Sequence, residues 1–155
     1  MYMSKEMEIG TVAGGEVIEL KKVGDEVFSS GLLGDGVGIK PTQGSIFSPV
    51  DGQIITAHEA GHAYTVMSRD GAELLIHIGI DTVELSGKHF YPKVGIGDRV
   101  KRGQLIARVE LEEIEKKGYD TVISLIVSNG EEIEITSTRL GKCLANDTIM
   151  TYKKI

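Results

Sequence analysis

The chain has 155 residues, enough to bury a core without disulfides or metals, and one domain is expected to span residues 1–155. Seventeen Lys and Arg against 23 Asp and Glu give a net charge of −6, which excludes the basic face that nucleic acid or an anionic membrane needs. A single cysteine, Cys143, excludes an internal disulfide, and no apolar run approaches the ~18 residues of a membrane-spanning helix. Met1 to Glu8 is too polar for a signal peptide, so a soluble cytoplasmic protein is expected, with no direct membrane insertion and with its first ten or so residues flexible.

Short runs rich in Val, Ile and Thr, broken by Gly, Asp and Pro, predict β-structure almost throughout. In chain order the strands are Thr11–Ala13, Gly15–Leu20, Val37–Pro41, Ser45–Ser48, Gly52–Ala57, Ala63–Met67, Glu73–Gly79, Gln104–Val109, Thr121–Val127, Ile133–Ser137 and Thr148–Lys153. One short helix is predicted over Glu110–Lys117, where Leu111 and Ile114 are three apart and Gly118 stops the run. A helical turn is expected at Thr82–Leu85.

Val23-Gly24-Asp25-Glu26-Val27, followed by Gly31-Leu32-Leu33, is echoed by Ile96-Gly97-Asp98-Arg99-Val100, followed by Gly103-Gln104-Leu105-Ile106. Each reads as a strand-turn-strand hook with glycine at the turn, and two copies point to a sandwich or barrel of two related halves.

The run Glu73-Leu74-Leu75-Ile76-His77-Ile78-Gly79-Ile80-Asp81-Thr82 is the most informative. A two-residue period puts Leu74, Ile76, Ile78 and Ile80 on a core face and Leu75, His77, Gly79 and Asp81 on the other. Glycine weakens a strand unless something must approach the backbone, so an imidazole beside Gly79 and Asp81 argues for function over a buried structural histidine. Fifteen residues earlier lies His62, and the Ser68-Arg69-Asp70-Gly71 turn between them predicts a hairpin that sets His62 opposite His77. Such a pair suits a phosphate or a metal.

His58-Glu59-Ala60-Gly61-His62 also matches the zinc-protease pattern, whose chemistry needs a helix to put both histidines on one face. Ile54, Ile55, Thr56, Thr65 and Val66 disfavour helix here, and Gly61 sits inside the motif. His89 is expected in a solvated loop, Cys143 as a buried structural thiol, and Glu110–Glu115 as a wet helix face.

These residues resemble the glucose-specific enzyme IIA family of the bacterial phosphoenolpyruvate-dependent sugar phosphotransferase system. The matching segments are Val27-Phe28, Leu33 to Thr42, Ser48 to Gly52, Gly61-His62-Ala63 and, above all, Ile76-His77-Ile78-Gly79-Ile80-Asp81-Thr82-Val83-Glu84-Leu85. The resemblance runs from about Val12 to Lys153 and implies an all-β, compact antiparallel sandwich or flattened barrel of two related halves, with only short helical turns. It also implies that His77 is the phosphorylated nucleophile and that His62 supports the phosphate. Gly79 would lend a backbone carbonyl to one His77 nitrogen and Asp81 would border the site. Phe28, Leu32, Leu33 and Val83 would form an apolar docking rim.

The resemblance departs at Ala60, where the family often has a Thr, and at His58, where an apolar or aromatic residue is common. The implied donor is the phosphocarrier HPr and the implied acceptor is the cysteine of a IIB domain in a membrane sugar permease. No resident cofactor is expected beyond a transient phosphohistidine, and adventitious zinc could sit at His62 and His77. Regulatory partner binding is a further implication. The alternative weighed against it is a zinc-dependent hydrolase of lysostaphin-like architecture, for which His77-x-x-x-Asp81 has the spacing but the H-x-H pair is missing. A lipoyl- or biotinyl-type carrier lacks its modified lysine.

Overall fold

Alternating Val, Ile and Leu positions close into packed antiparallel sheets in the computed structural model, which describes residues 5–155. In chain order come β1 (Met7–Gly10), β2 (Gly15–Glu19), α1 (Glu26–Ser29), β3 (Asp35–Pro41), β4 (Ser45–Phe47), β5 (Gly52–Ala57), β6 (Ala63–Ser68) and β7 (Glu73–Ile78). Then follow β8 (Phe90–Pro92), β9 (Arg99–Val100), β10 (Leu105–Val109), α2 (Leu111–Lys116), β11 (Ile123–Val127), β12 (Ile133–Thr138), β13 (Gly141–Cys143) and β14 (Thr148–Lys154). Single 3-10 turns occupy Leu20–Lys22 and Thr82–Leu85. The protein is therefore all-β with only short helical pieces, as expected.

The largest sheet has the order β13-β2-β3-β11-β7-β6-β5-β9, and two three-stranded sheets, β1-β14-β12 and β4-β10-β8, complete the architecture. One face of the large sheet carries Ile39, Tyr64, Val66, Leu74, Ile76, Ile123 and Leu125 into the main core. The opposite face carries a second, smaller cluster of Leu20, Val23, Phe28, Val122 and Ile126, with Leu75 and Ile80 packed against it. Glycine makes that second layer fit: a Cβ on Gly38 would stand 2.7 Å from Val23 Cγ2 and 2.9 Å from Ile18 Cγ1. Its cross-strand neighbour Ser124 is also small, and Ser124 pairs in turn with His77.

Three expectations are corrected. The flexible start fails over Met7–Gly10, which pairs with β14 and buries Ile9 completely; residues 1–4 lie outside the described residues. Thr11–Ala13 is not a strand, because Thr11 Oγ1 donates to Ala13 O at 2.7 Å and closes a local turn after β1. The first hook does not lead into a strand at Leu32-Leu33. Asp25 accepts the Val27 amide at 2.9 Å and caps α1, so the chain turns helical before β3. The second hook does form strands, β9 and β10. No helix among the described residues is long and apolar enough to cross a membrane.

Candidate active site

β7 carries His77 between β6 and β11, hydrogen-bonded on both edges. The β6–β7 register pairs Ala63, not His62, with His77. The connecting loop has three residues rather than two: Ser68 N donates to Ala72 O at 2.8 Å, Gly71 N donates to Ser68 O at 3.0 Å, and Gly71 holds φ +89. His62 therefore stands one step beyond the strand, where its carbonyl still accepts the Ile78 amide at 2.7 Å. Gly61 at φ +88 turns the chain there, and a Cβ on it would meet Pro92 Cγ at 2.9 Å. Freed from strand alternation, the His62 ring swings to the His77 side, with ring centroids 5.2 Å apart and planes at 79°.

β7 stops at Ile78 because Gly79 and Asp81 both take left-handed backbone, at φ +82 and φ 59. Thr82 Oγ1 donates to Ile78 O at 2.5 Å and ties the turn to the strand end. Ile80 thus leaves the face of Leu74, Ile76 and Ile78 and joins the second cluster, contrary to simple alternation. The turn aims the Gly79 carbonyl back at the strand, where it accepts from His77 Nδ1 at 2.9 Å. A carbonyl only accepts, so the His77 proton is held on Nδ1 and Nε2 keeps its lone pair.

Phe28 covers the other side of His77, with ring centroids 4.8 Å apart. It belongs to the second cluster and is only 6 % exposed, which corrects its expected place on a docking rim. Leu32, Leu33 and Val83 are exposed, and so is Val27. Asp81 is exposed at the border of the site.

Burial pushes the His77 ring below the ordinary histidine range, opposed by the Gly79 hydrogen bond and by the Asp25 and Asp81 carboxylates. Desolvation, reinforced by His77 and His58, pushes His62 down to about 4. His62 Nδ1 is buried with no hydrogen-bond partner, in keeping with Ala60 standing where a hydroxyl could have been. Both rings are therefore neutral near pH 7.

His58 lies in the same loop, 4.4 Å from the His62 ring, a neighbour the sequence reading left out of the site although the four-residue spacing announced it. The loop is a β-turn, since His58 N donates to Ala63 O and Gly61 N donates to His58 O, each at 2.9 Å. The zinc-protease motif is thus not helical. Among the described residues no three His, Cys, Asp or Glu side chains are arranged to hold a metal ion. His89, expected in solvent, is half-buried and its Nδ1 faces Glu110 Oε1 at 3.1 Å. Cys143 is buried beside Thr11 and Ala13.

A family model described as phosphoenolpyruvate-dependent sugar phosphotransferase system, EIIA 1, matches residues 7–133. The chain belongs to that family. It is 36% identical over 151 residues to the glucose-specific EIIA component of Haemophilus influenzae, covering 97% of this chain and 91% of that one. It is 42% identical over 133 residues to the β-glucoside-specific EIIBCA component of Dickeya chrysanthemi, covering 85% of this chain but only 21% of that relative. The chain thus spans about a fifth of the length of such EIIBCA relatives. Among solved structures, glucose permease IIA from Mycoplasma capricolum superposes with a TM-score of 0.89 at 30% identity, covering 97% of this chain and 99% of that one. The EIIA family and its sandwich fold replace the hydrolase alternative, which gains no support.

Proposed function

We propose that this EIIA chain is a phosphocarrier that takes a phosphoryl group from phospho-HPr onto Nε2 of His77 and passes it to the cysteine of a IIB domain. The observation that carries the reading is the bond from His77 Nδ1 to Gly79 O, which leaves Nε2 as the nucleophilic nitrogen beside His62. Membership of the EIIA 1 family supports it.

In the first step the Nε2 lone pair attacks phosphorus in line, and the bond to the donor's nitrogen breaks with its electron pair returning to that nitrogen. In the second, the acceptor's thiolate attacks phosphorus and the electron pair returns to Nε2. Positive charge accumulating on the His77 ring during attack is stabilised through Nδ1–H by the Gly79 carbonyl. His62, donating through Nε2, meets the phosphoryl oxygens. Phe28 closes one side of the ring to water, and exposed Leu32, Leu33 and Val83 offer the apolar surface on which donor and acceptor dock in turn. This chemistry uses side chains and the Gly79 backbone carbonyl and calls for no resident cofactor.

The test is incubation with phosphoenolpyruvate, enzyme I and HPr, followed by intact-mass measurement. One acid-labile phosphoryl mass, located on His77, is expected. Absence of any gain would overturn the reading.

A further inference from the structure

The imidazoles of His58, His62 and His77 form a row in which neighbouring rings are 4.4 Å and 5.2 Å apart. The backbone has already assigned protons at both ends of that row. At His77 the Gly79 carbonyl fixes the proton on Nδ1. At His58 the Ala60 amide donates to Nδ1 at 3.0 Å, so that nitrogen is bare and the neutral ring carries its proton on Nε2. The two rings are opposite tautomers: a bare Nε2 at the nucleophile and an Nε2–H on His58. His62, between them, has its Nδ1 buried without a partner, which leaves Nε2 as the nitrogen that can reach a ligand.

The charges that act on His77 are the carboxylates of Asp25 and Asp81 together with the His58 imidazole. A phosphoryl dianion placed on Nε2 therefore faces two like charges and gains from N–H donors on the neighbouring imidazoles. His58 packs against His62 and is exposed, and with its Nδ1 held by the Ala60 amide its Nε2–H is left for an incoming oxygen.

Resting on the phosphocarrier reading, we infer that His58 is a second imidazole donor of the phosphoryl site, joining its Nε2–H to that of His62 on the oxygens of the group carried by His77. Its tautomer is set in advance by the Ala60 amide, so no proton has to move when the group arrives.

Two variants separate a donor from a packing ring. His58→Phe keeps the ring against His62 and removes both nitrogens, whereas His58→Gln removes the ring and keeps an N–H donor. The Phe variant should pass the phosphoryl group to the IIB cysteine about tenfold more slowly in kcat with KM for the acceptor unchanged, and the Gln variant should stay within about threefold of the parent. Nitrogen NMR of the parent should show His58 as the Nε2–H tautomer, with that proton shifted downfield once His77 is phosphorylated. The inference is overturned if the Phe variant transfers like the parent, if the Gln variant falls as far as the Phe variant, or if the His58 signals are unmoved by phosphorylation. A parent protein that takes no phosphoryl group at all overturns instead the phosphocarrier reading beneath it.

Discussion

Gly79 holds the proton of His77: two residues downstream, its carbonyl oxygen lies 2.9 Å from Nδ1 and decides which ring nitrogen is nucleophilic. That carbonyl points correctly only because Gly79 sits at φ +82, where a side chain would also run into Thr82 Cγ2 and stand 3.0 Å from Asp120 O. Gly79→Ala should cost about 1–3 kcal/mol of stability, seen as a lower urea midpoint, and should slow phosphate acceptance even at temperatures where the variant is folded. Full stability with full acceptance would show that the turn is not needed.

Removing the nucleophile and removing its neighbour should have different signatures. His77→Ala is expected to gain no phosphoryl group from phospho-HPr. His62→Ala should still be phosphorylated but deliver the group to the IIB cysteine about a hundredfold more slowly, the size of one lost donor to a transferring group. Single-turnover transfer from the isolated phosphoprotein distinguishes the two. An acid-labile phosphate on His77→Ala would assign the nucleophile elsewhere.

The His62 ring stays neutral in the fold down to about 4, against 6.5 for a free side chain. Below 6.5 the unfolded chain therefore binds a proton that the folded one refuses, so ν of the unfolded state exceeds ν of the native state. This contribution is fully present above 6.5 and is lost as pH falls from there toward about 4. Urea midpoints should drop across that window, and His62→Gln should flatten the slope. A slope that is the same in both proteins would sink the assignment.

His77 is displaced in the same direction, chiefly by burial, and in the proposed function its lone pair attacks. Phosphate acceptance should persist on the acid side of the ordinary histidine range, with the half-maximal rate reached only below it. Initial rates against pH, with the phospho-HPr concentration well below its KM, check this. An acid limb at or above the ordinary value would mean the burial is relieved in solution.

Leu32 is 83 % exposed, and the proposed function gives it a docking role rather than a chemical one. Leu32→Asp should raise KM for phospho-HPr about tenfold while leaving kcat and the melting temperature near those of the parent. A loss confined to kcat would place Leu32 inside the chemistry instead of on a docking surface.

The strand period of β7 and the turn chemistry around it were legible because both obey local rules. Alternation correctly put Leu74, Ile76 and Ile78 inward and His77 outward, and Asp70-Gly71 announced a hairpin. What failed was the count through that hairpin, since one extra loop residue with Gly71 in left-handed backbone shifts every pair by one. That His62 nevertheless reaches His77 depends on Gly61 ending the alternation, which no period predicts. Phe28 was misplaced for a different reason. Exposed and buried apolar residues look alike in a sequence, and only the packing of the second cluster shows that one of them lies down against His77. The helix that Asp25 caps was read as part of a strand-turn-strand hook, because four residues of helix make too short a pattern to detect.

β7 is an interior strand of the large sheet, so moving His77 along or across it would break hydrogen bonds to β6 and β11 together. Its amides should be among the slowest to exchange with solvent, whereas α1 and the Thr82–Leu85 turn are single helical turns at the surface. On the proposed function, in which two unlike proteins reach one nitrogen, the fold keeps that nitrogen still and leaves accommodation to the skin around it. Sequence drift that retunes partner choice can accumulate in those surface turns without relocating the reacting atom.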